Sequence, residues 1–302
     1  MNDVYDNKIY SSPKIVNDNV LLIHDDCLHA LDAIKPKTIQ MICIDPPYNI
    51  GKAHWDSIEN YVEFMKNVIV KLETKLKDNG SFFLFHNDME TIAELMISIK
   101  QNTSFKFVQM ITWNKLFNDS KYNSFMDGFL KIGQYRMFSK MCEYILFFVF
   151  DNSYKIKARR EELGISRKTI SEEILSKNNK PTGWYFNIET GLNPPTRETV
   201  KPITKHLGLT YEDLVPKFNN LMTHHSVWNY NMAKRNVVHI TPKPIDLLKN
   251  IILHTTDEGD VVVDCFAGSG SLGQACRETK RKVVLIEKEK KYCDYIEKNL
   301  AN

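Results

Sequence analysis

Along this chain, short apolar runs alternate with stretches whose apolar positions recur every three or four residues. Residues 20–24, 39–44, 81–85, 107–113 and 143–150 read as buried strands, and so do 261–264 and 283–287 near the end. Between them, 28–34, 58–77, 88–100, 245–255 and a segment from 271 to about 278 carry the helical period. Asn79 and Gly80 read as the turn that closes the second helix. Strand, helix, strand in close succession implies right-handed crossovers and a mainly parallel sheet covered on both faces, an α/β fold. Residues 1–19 read as a weakly ordered lead-in. Residues 49–57 and 116–141, the latter with Lys131, Arg136 and Lys140, read as loops beside a site.

The pattern changes near residue 155. Short helices with tight breaks follow: about 155–163, ended by Gly164; 167–177, capped by Ser166; a turn and the segment 181–191; 197–207, stopped at Gly208; and 211–214. Two helices separated by a turn, the second rich in polar and aromatic groups, follow the helix-turn-helix plan, although a basic helical subdomain without special role fits the same pattern. Three parts result: 1–154, 155–216 and 217–302, the outer two forming one domain interrupted by the all-α middle.

Charge sharpens that division. The whole chain carries only +3, whereas residues 155–205 hold 11 Lys/Arg against 6 Asp/Glu, a local 11 − 6 = +5. Any nucleic-acid surface is therefore local, and the middle part is where it is expected. With 43% hydrophobic and 25% charged residues the chain reads as an ordinary soluble protein. No apolar run approaches the ~20 residues of a membrane span, and the first residues do not resemble a signal peptide, so a cytoplasmic protein without membrane contact is expected. Its six cysteines form no C-x-x-C pair; reduced thiols are expected and no metal site.

Two stretches carry candidate chemistry. The strand 39–44 ends in Asp45-Pro46-Pro47-Tyr48. The prolines end the strand and stiffen the backbone, so Asp45 stands at a strand's carboxyl end with Tyr48 just beyond. A carboxylate and the Pro46 carbonyl can accept the two N–H bonds of a base's exocyclic amine, which frees a lone pair otherwise delocalised into the ring. Tyr48 offers a face on which an unstacked base can lie. Trp113 is a weaker second wall, reading first as a core aromatic. The other stretch is Asp264-Cys265-Phe266-Ala267-Gly268-Ser269-Gly270, between a strand and a helix, with Glu287 closing the next strand. Glycines at such a turn let a ligand approach the backbone, and the following acid suits a ribose diol. No G-K-[ST] follows, which disfavours a nucleoside triphosphate. Near the first strand's end, Asp25 or Asp26 suits a cofactor's adenine or ribose and equally suits a helix cap. A base-amine site joined to a nucleoside site fits a methyl donor such as S-adenosylmethionine.

Taken together and in this order, D-P-P-Y early, a middle recognition segment and F-x-G-x-G late, the chain resembles the β-class amino-group DNA methyltransferases over most of 20–150 and 237–300. The resemblance implies a Rossmann-like S-adenosylmethionine-dependent sheet. It implies catalysis by Asp45, Pro46, Pro47 and Tyr48, and cofactor binding by Asp264, Phe266, Ala267, Gly268, Ser269, Gly270 and Glu287. Asp26 matches the acid of the family's G-D-C stretch, without its glycine. Thr241 and Lys243 match its H-P-T-Q-K-P stretch, with Ile240 and Pro242 in place of proline and glutamine. Residues 156–214 resemble phage-repressor-type helix-turn-helix domains, through Arg160–Arg167, Ile188-Glu189-Thr190-Gly191 and Lys205–Leu209. That resemblance places Thr182, Trp184, Tyr185 and Asn187 toward bases, and Arg167, Lys168 and Lys180 near phosphates. The implied activity is methylation of adenine N6 in duplex DNA, in a restriction-modification or phage-defence setting. Two alternatives stay open: cytosine N4 as the target, and a DNA-binding regulator with a silent catalytic half. A cognate restriction endonuclease and a second copy of the chain are the further candidate partners.

Overall fold

The computed structural model describes residues 1, 3–6, 13–49, 57–115, 130–132, 135–137, 141–174, 183–221, 225–233 and 242–301. Its main sheet comprises β1 (Lys14–Asn17), β2 (Val20–His24), β3 (Ile39–Ile44), β4 (Leu76–His86), β5 (Phe105–Asn114), β8 (Cys142–Phe150), β9 (Val227–Asn229), β10 (Val261–Asp264) and β11 (Lys282–Glu287). A separate two-stranded ribbon pairs β6 (Leu130–Ile132) with β7 (Tyr135–Met137), inside the stretch expected to be a loop. The strand order is β1-β2-β11-β10-β3-β4-β8-β5-β9. β1 and β8 oppose their neighbours, and the other strands run one way.

Alternation along the strands supplies two cores. Ile42, Ile44, Phe82, Leu84, Leu146 and Phe148 face α2 (Tyr61–Lys75) and α3 (Met89–Asn102). Met41, Cys43, Phe83, Phe85, Ile145 and Phe147 face the other way, into a core with α9 (Ile245–Thr255), α10 (Ser271–Glu278) and α11 (Lys290–Leu300). Side chains two apart share a face, so a strand buried on both sides is apolar on both, which is why 41–44 shows no alternation. The remaining helix of this half, α1 (Cys27–Ala30), is a single turn continued by a 3₁₀ turn over Leu31–Ala33.

One expected turn is instead part of a strand. α2 stops at Lys75, and β4 runs through Asn79 and Gly80. The pairing of β3 with β4 steps from Ile39–Leu76 to Met41–Ser81, so the extra residues bulge out of the ladder. Glycine fits because a Cβ at position 80 would lie 2.6 Å from Leu76 Cδ1 and 2.9 Å from the Gln40 carbonyl oxygen.

Between β8 and β9 the chain builds a helical unit: α4 (Tyr154–Glu162), α5 (Arg167–Ser171), α6 (Trp184–Glu189), α7 (Val200–Leu207) and α8 (Tyr211–Leu214). Its core is Ile156, Ile170, Ile174, Tyr185, Ile188, Val200, Ile203, Leu207 and Leu214. Buried Glu189 accepts from Arg160 Nε at 2.7 Å and Arg167 Nε at 2.5 Å, tying α4, α5 and α6 together. Ser166 caps α5, and Gly208, at φ 71°, ends α7, as the pattern predicts. α5 ends six residues earlier than the expected 177, and α7 begins three residues later than 197.

A Gly80→Ala substitution forces a methyl group against a backbone oxygen and is expected to destabilise the protein by about 1–3 kcal/mol. Urea unfolding followed by far-UV dichroism measures this; an unchanged midpoint would show that the bulge relaxes freely.

Candidate active site

Four neighbouring parallel strands end in acids along one edge of the sheet. In the order β2, β11, β10, β3 these are Asp25 and Asp26, Glu287, Asp264 and Asp45. β10 pairs directly with β3, Val262 beside Met41 and Val263 beside Ile42, so the two motifs meet although they lie at opposite ends of the chain. All five acids line one cavity of about 500 Å³, together with Tyr48, Lys243, Phe266 and the glycine turn.

The glycine turn is built for close approach. Gly268 and Gly270 have φ of 52° and 77°, a region that favours glycine, and Gly270 caps α10. A Cβ on Gly270 would meet Ile296 Cγ1 at 2.9 Å. Glu287 fixes the turn: its Oε2 accepts from Gly268 N at 2.7 Å and its Oε1 from Glu289 N at 2.7 Å. Burial raises the Glu287 pKa against these backbone donors. Asp264 Oδ1 accepts from Phe266 N at 2.9 Å. Burial, reinforced by the charges of Asp45 and Glu287, pushes Asp264 up to about 8. Ala267 lies buried in the turn, and the Ser269 hydroxyl faces that of Ser271 at 3.3 Å. Asp26 does two jobs: it caps α1 through Leu28 N at 3.0 Å, and it lines the cavity.

At the D-P-P-Y corner the side chains form a closed network. Lys243 Nζ lies 2.5 Å from Asp45 Oδ2 and 3.3 Å from Glu143 Oε2. The Tyr48 hydroxyl lies 2.7 Å from Asp45 Oδ1 and 3.2 Å from Glu143 Oε2. Lys115 pairs with the other Glu143 oxygen. Two ammonium groups thus balance two carboxylates in a buried cluster. Burial works against the Lys243 ammonium, but Asp45 and Glu143 outweigh it and raise its pKa above that of an ordinary lysine. Burial likewise opposes ionisation of Glu143, but Lys243 and Lys115 hold it at about 2. Burial and the two carboxylates keep the Tyr48 hydroxyl protonated, well above its usual range. The Tyr48 ring packs against His86 at 4.7 Å between centroids, and burial keeps that imidazole neutral by lowering its pKa.

Sequence reasoning missed Glu143 and Lys115; an acid opening an otherwise apolar strand was the available signal. Trp113 is a core residue, its indole N–H bonded to the Tyr230 carbonyl at 2.6 Å. Thr241 lies outside the described residues, as do Lys180 and Thr182. In the helical unit, Trp184 is 48% and Phe186 52% exposed, while Asn187 is half-buried. Tyr185 does not face outward: it is 1% exposed and fills the unit's core. Residues 185, 188 and 189 share one helix face, and that face is inside. Lys168 is exposed, and Arg167 reaches both Glu189 and the Phe186 ring, 5.7 Å from its centroid.

The family model described as DNA methylase, covering N6 and N4 enzymes, matches residues 39–298, and the chain belongs to this family. It is 26% identical over 287 residues to the type II methyltransferase M1.MboII of Moraxella bovis, covering 88% of this chain and 91% of that one. Identity is also 26%, over 286 residues, to the DNA adenine methyltransferase YhdJ of Escherichia coli strain K12, with 91% and 81% covered. Among solved structures, the cytosine-N4-specific PvuII DNA methyltransferase shares the fold at TM-score 0.60 and 14% identity, with 93% of this chain and 86% of that one covered. Among the described residues, no helix is long and apolar enough to cross a membrane.

Asp264 binds its proton more tightly folded than unfolded, where the ordinary value is 3.8. Its contribution to stability is therefore complete below the ordinary carboxylate range and drains away as pH rises toward about 8. The thermal midpoint should fall between about pH 4 and about pH 8 in the parent protein and fall less in Asp264→Asn, which keeps the oxygen that accepts from Phe266. Calorimetry across that range checks this; parallel pH curves would refute it.

Proposed function

We propose that this protein transfers a methyl group from S-adenosyl-L-methionine to the N6 of adenine in duplex DNA, as the modification enzyme of a restriction-modification system. The carrying observation is the meeting of Asp45, Tyr48 and Lys243 with the Gly268–Gly270 turn in one cavity, within a chain of the DNA methylase family. The acid-lined cavity suits a sulfonium cofactor and not a polyphosphate: Asp26, Asp264 and Glu287 face it, and its Gly268–Gly270 turn lacks a following lysine. S-adenosyl-L-methionine supplies an electrophilic methyl group when bound. Glu287 would take its ribose hydroxyls, and the left-handed glycines leave room for it against the α10 terminus.

The protein's own groups do the rest. Asp45 and the Pro46 carbonyl accept the amine's N–H bonds and orient its lone pair. Tyr48 gives the extruded base a stacking face. Lys243 pairs with the Asp45 carboxylate and fixes its position. Positioning and preorganised charge carry the catalysis, and no nucleophilic cysteine is needed.

Residues 155–216 we read as the recognition unit, an insert of the helix-turn-helix kind between the outer parts 1–154 and 217–302. Its local charge of 11 − 6 = +5 over 155–205 and the exposed Trp184, Phe186, Lys168 and Arg167 support that reading. Phe186 takes the outward place once expected of Tyr185. A cognate endonuclease and a homodimer belong to the same reading of the setting.

Labelled methyl transfer to unmethylated genomic DNA, followed by nucleoside digestion, should yield N6-methyladenine. N4-methylcytosine would overturn the choice of base, and no product would favour a silent catalytic half. Asp45→Ala should reduce transfer by roughly 100-fold or more while cofactor binding persists. For the recognition unit, Trp184→Ala with Phe186→Ala should weaken binding to long duplexes and leave cofactor affinity unchanged. Lys168→Ala should reduce the salt slope of DNA binding by about one. Unchanged affinity and slope in filter binding would remove the unit from the DNA interface.

A further inference from the structure

Both oxygens of the Asp45 carboxylate are engaged: Lys243 holds Oδ2 at 2.5 Å and the Tyr48 hydroxyl donates to Oδ1 at 2.7 Å. A target amine needs one of them. The Tyr48 ring has little freedom to leave, being 9% exposed and packed on His86, with Lys243 Nζ 5.3 Å from its centroid. Its single hydroxyl proton, however, has a second acceptor within reach, Glu143 Oε2 at 3.2 Å. Turning that O–H bond toward Glu143 uncovers Asp45 Oδ1 without moving the ring.

We propose that Glu143 is a positioning residue for methyl transfer: it receives the Tyr48 hydroxyl when a base enters, and so releases the Asp45 oxygen that accepts the target amine. The inference rests on Asp45 being the amine's acceptor. Three features suit Glu143 to the part. It is 5% exposed, so it receives the hydroxyl away from bulk solvent. Lys115 and Lys243 keep it ionised and therefore a strong acceptor. It does not line the cavity itself and acts through Tyr48 and Lys243. Without it, a buried hydroxyl that leaves Asp45 has no carboxylate to go to, which is unfavourable, and Asp45 stays covered.

The test is a two-by-two set in the full-length chain: parent, Glu143→Gln, Tyr48→Phe, and both together. Methyl transfer to duplex DNA and S-adenosylmethionine affinity are measured for each. Glu143→Gln is expected to lower kcat by roughly tenfold or more, with cofactor affinity unchanged. Tyr48→Phe keeps the stacking face and removes the hydroxyl that needs releasing, so in that background Glu143→Gln should cost less than about threefold. Equal losses in both backgrounds, an unchanged kcat, or a cofactor affinity that falls in step with kcat would each overturn the proposal. A second variant guards against a folding defect from unbalanced charge. Lys115→Met combined with Glu143→Gln removes one charge of each sign. If that protein turns over like the parent, Glu143 serves charge balance alone and the proposal fails; if it stays slow, the proposal stands. Asp45→Ala separates the two levels: activity retained there sinks the amine-acceptor reading itself, whereas an inactive Asp45→Ala with a fully active Glu143→Gln sinks only the role of Glu143.

Discussion

The pairing of β10 with β3 is the constraint on which the site depends. It joins Val262 to Met41 and Val263 to Ile42, closing a loop that contains most of the chain. Closing so long a loop costs entropy that grows only slowly with its length, and burial must offset it. Both strands are apolar on both faces and lie between two helical layers, so their side chains leave water completely. The helical unit between β8 and β9 adds length to the loop but folds around its own core, and so adds little to that cost. What the pairing delivers is a row of acids at adjacent strand ends.

That row creates an electrostatic problem that the site must solve. Asp45, Asp264 and Glu287 stand on neighbouring strands at a partly closed cavity. Like charges this close cannot all ionise without counter-ions. Lys243 answers for Asp45 and, with Lys115, for Glu143. Among the described residues Asp264 has no such partner of its own, and it holds its proton to about pH 8. The cavity is therefore poised for a cationic guest, whose positive charge would relieve the repulsion among these acids. The same neutral pairing of two ammonium and two carboxylate groups fixes the rotamers of Asp45 and Tyr48, which is what positional catalysis requires.

Most of the sheet was legible because buried strands and glycine turns leave local signals. Residues 41–44 and 261–263 are uninterrupted apolar runs, and Gly268 and Gly270 take backbone angles that favour glycine. The Lys115–Glu143–Lys243 cluster was not legible, because it depends on strand direction. β8 is antiparallel to β4 and β5, so its first residues arrive at the edge where the parallel strands finish. Hydrophobic pattern reports which residues are buried, not which way a strand runs, and Glu143 looked like a mere strand opening. Tyr185 failed for another reason. Aromatic residues in a recognition helix invite an outward reading, yet its spacing with Ile188 places it on the buried face. Gly80 reads as a turn from composition alone; only the register against β3 shows that the chain stays extended and bulges.

The direction of β8 also sets the relation between the two halves of the proposed activity. Its first residue stands at the edge that carries Asp45 and its last, Phe150, at the opposite one. The helical unit begins just beyond, and its anchors are at that far edge: Asn152 Nδ2 to the Asp78 carbonyl at 2.8 Å, Lys155 Nζ to Asp78 Oδ2 at 2.6 Å, and Lys106 Nζ to Asp151 at 3.0 Å. The turn after α6 rests there too, because a Cβ on Gly191 would touch Ser153 and Asp151. Nine residues of β8 span roughly 30 Å. A duplex touching the exposed face of α6 and also delivering a base to Asp45 must therefore run along the sheet for a distance close to one helical turn of DNA. Recognition by this unit would thus act on sequence flanking the methylated base and not on the base itself, whose identity is left to the cavity formed by Asp45, Tyr48 and their buried counter-ions.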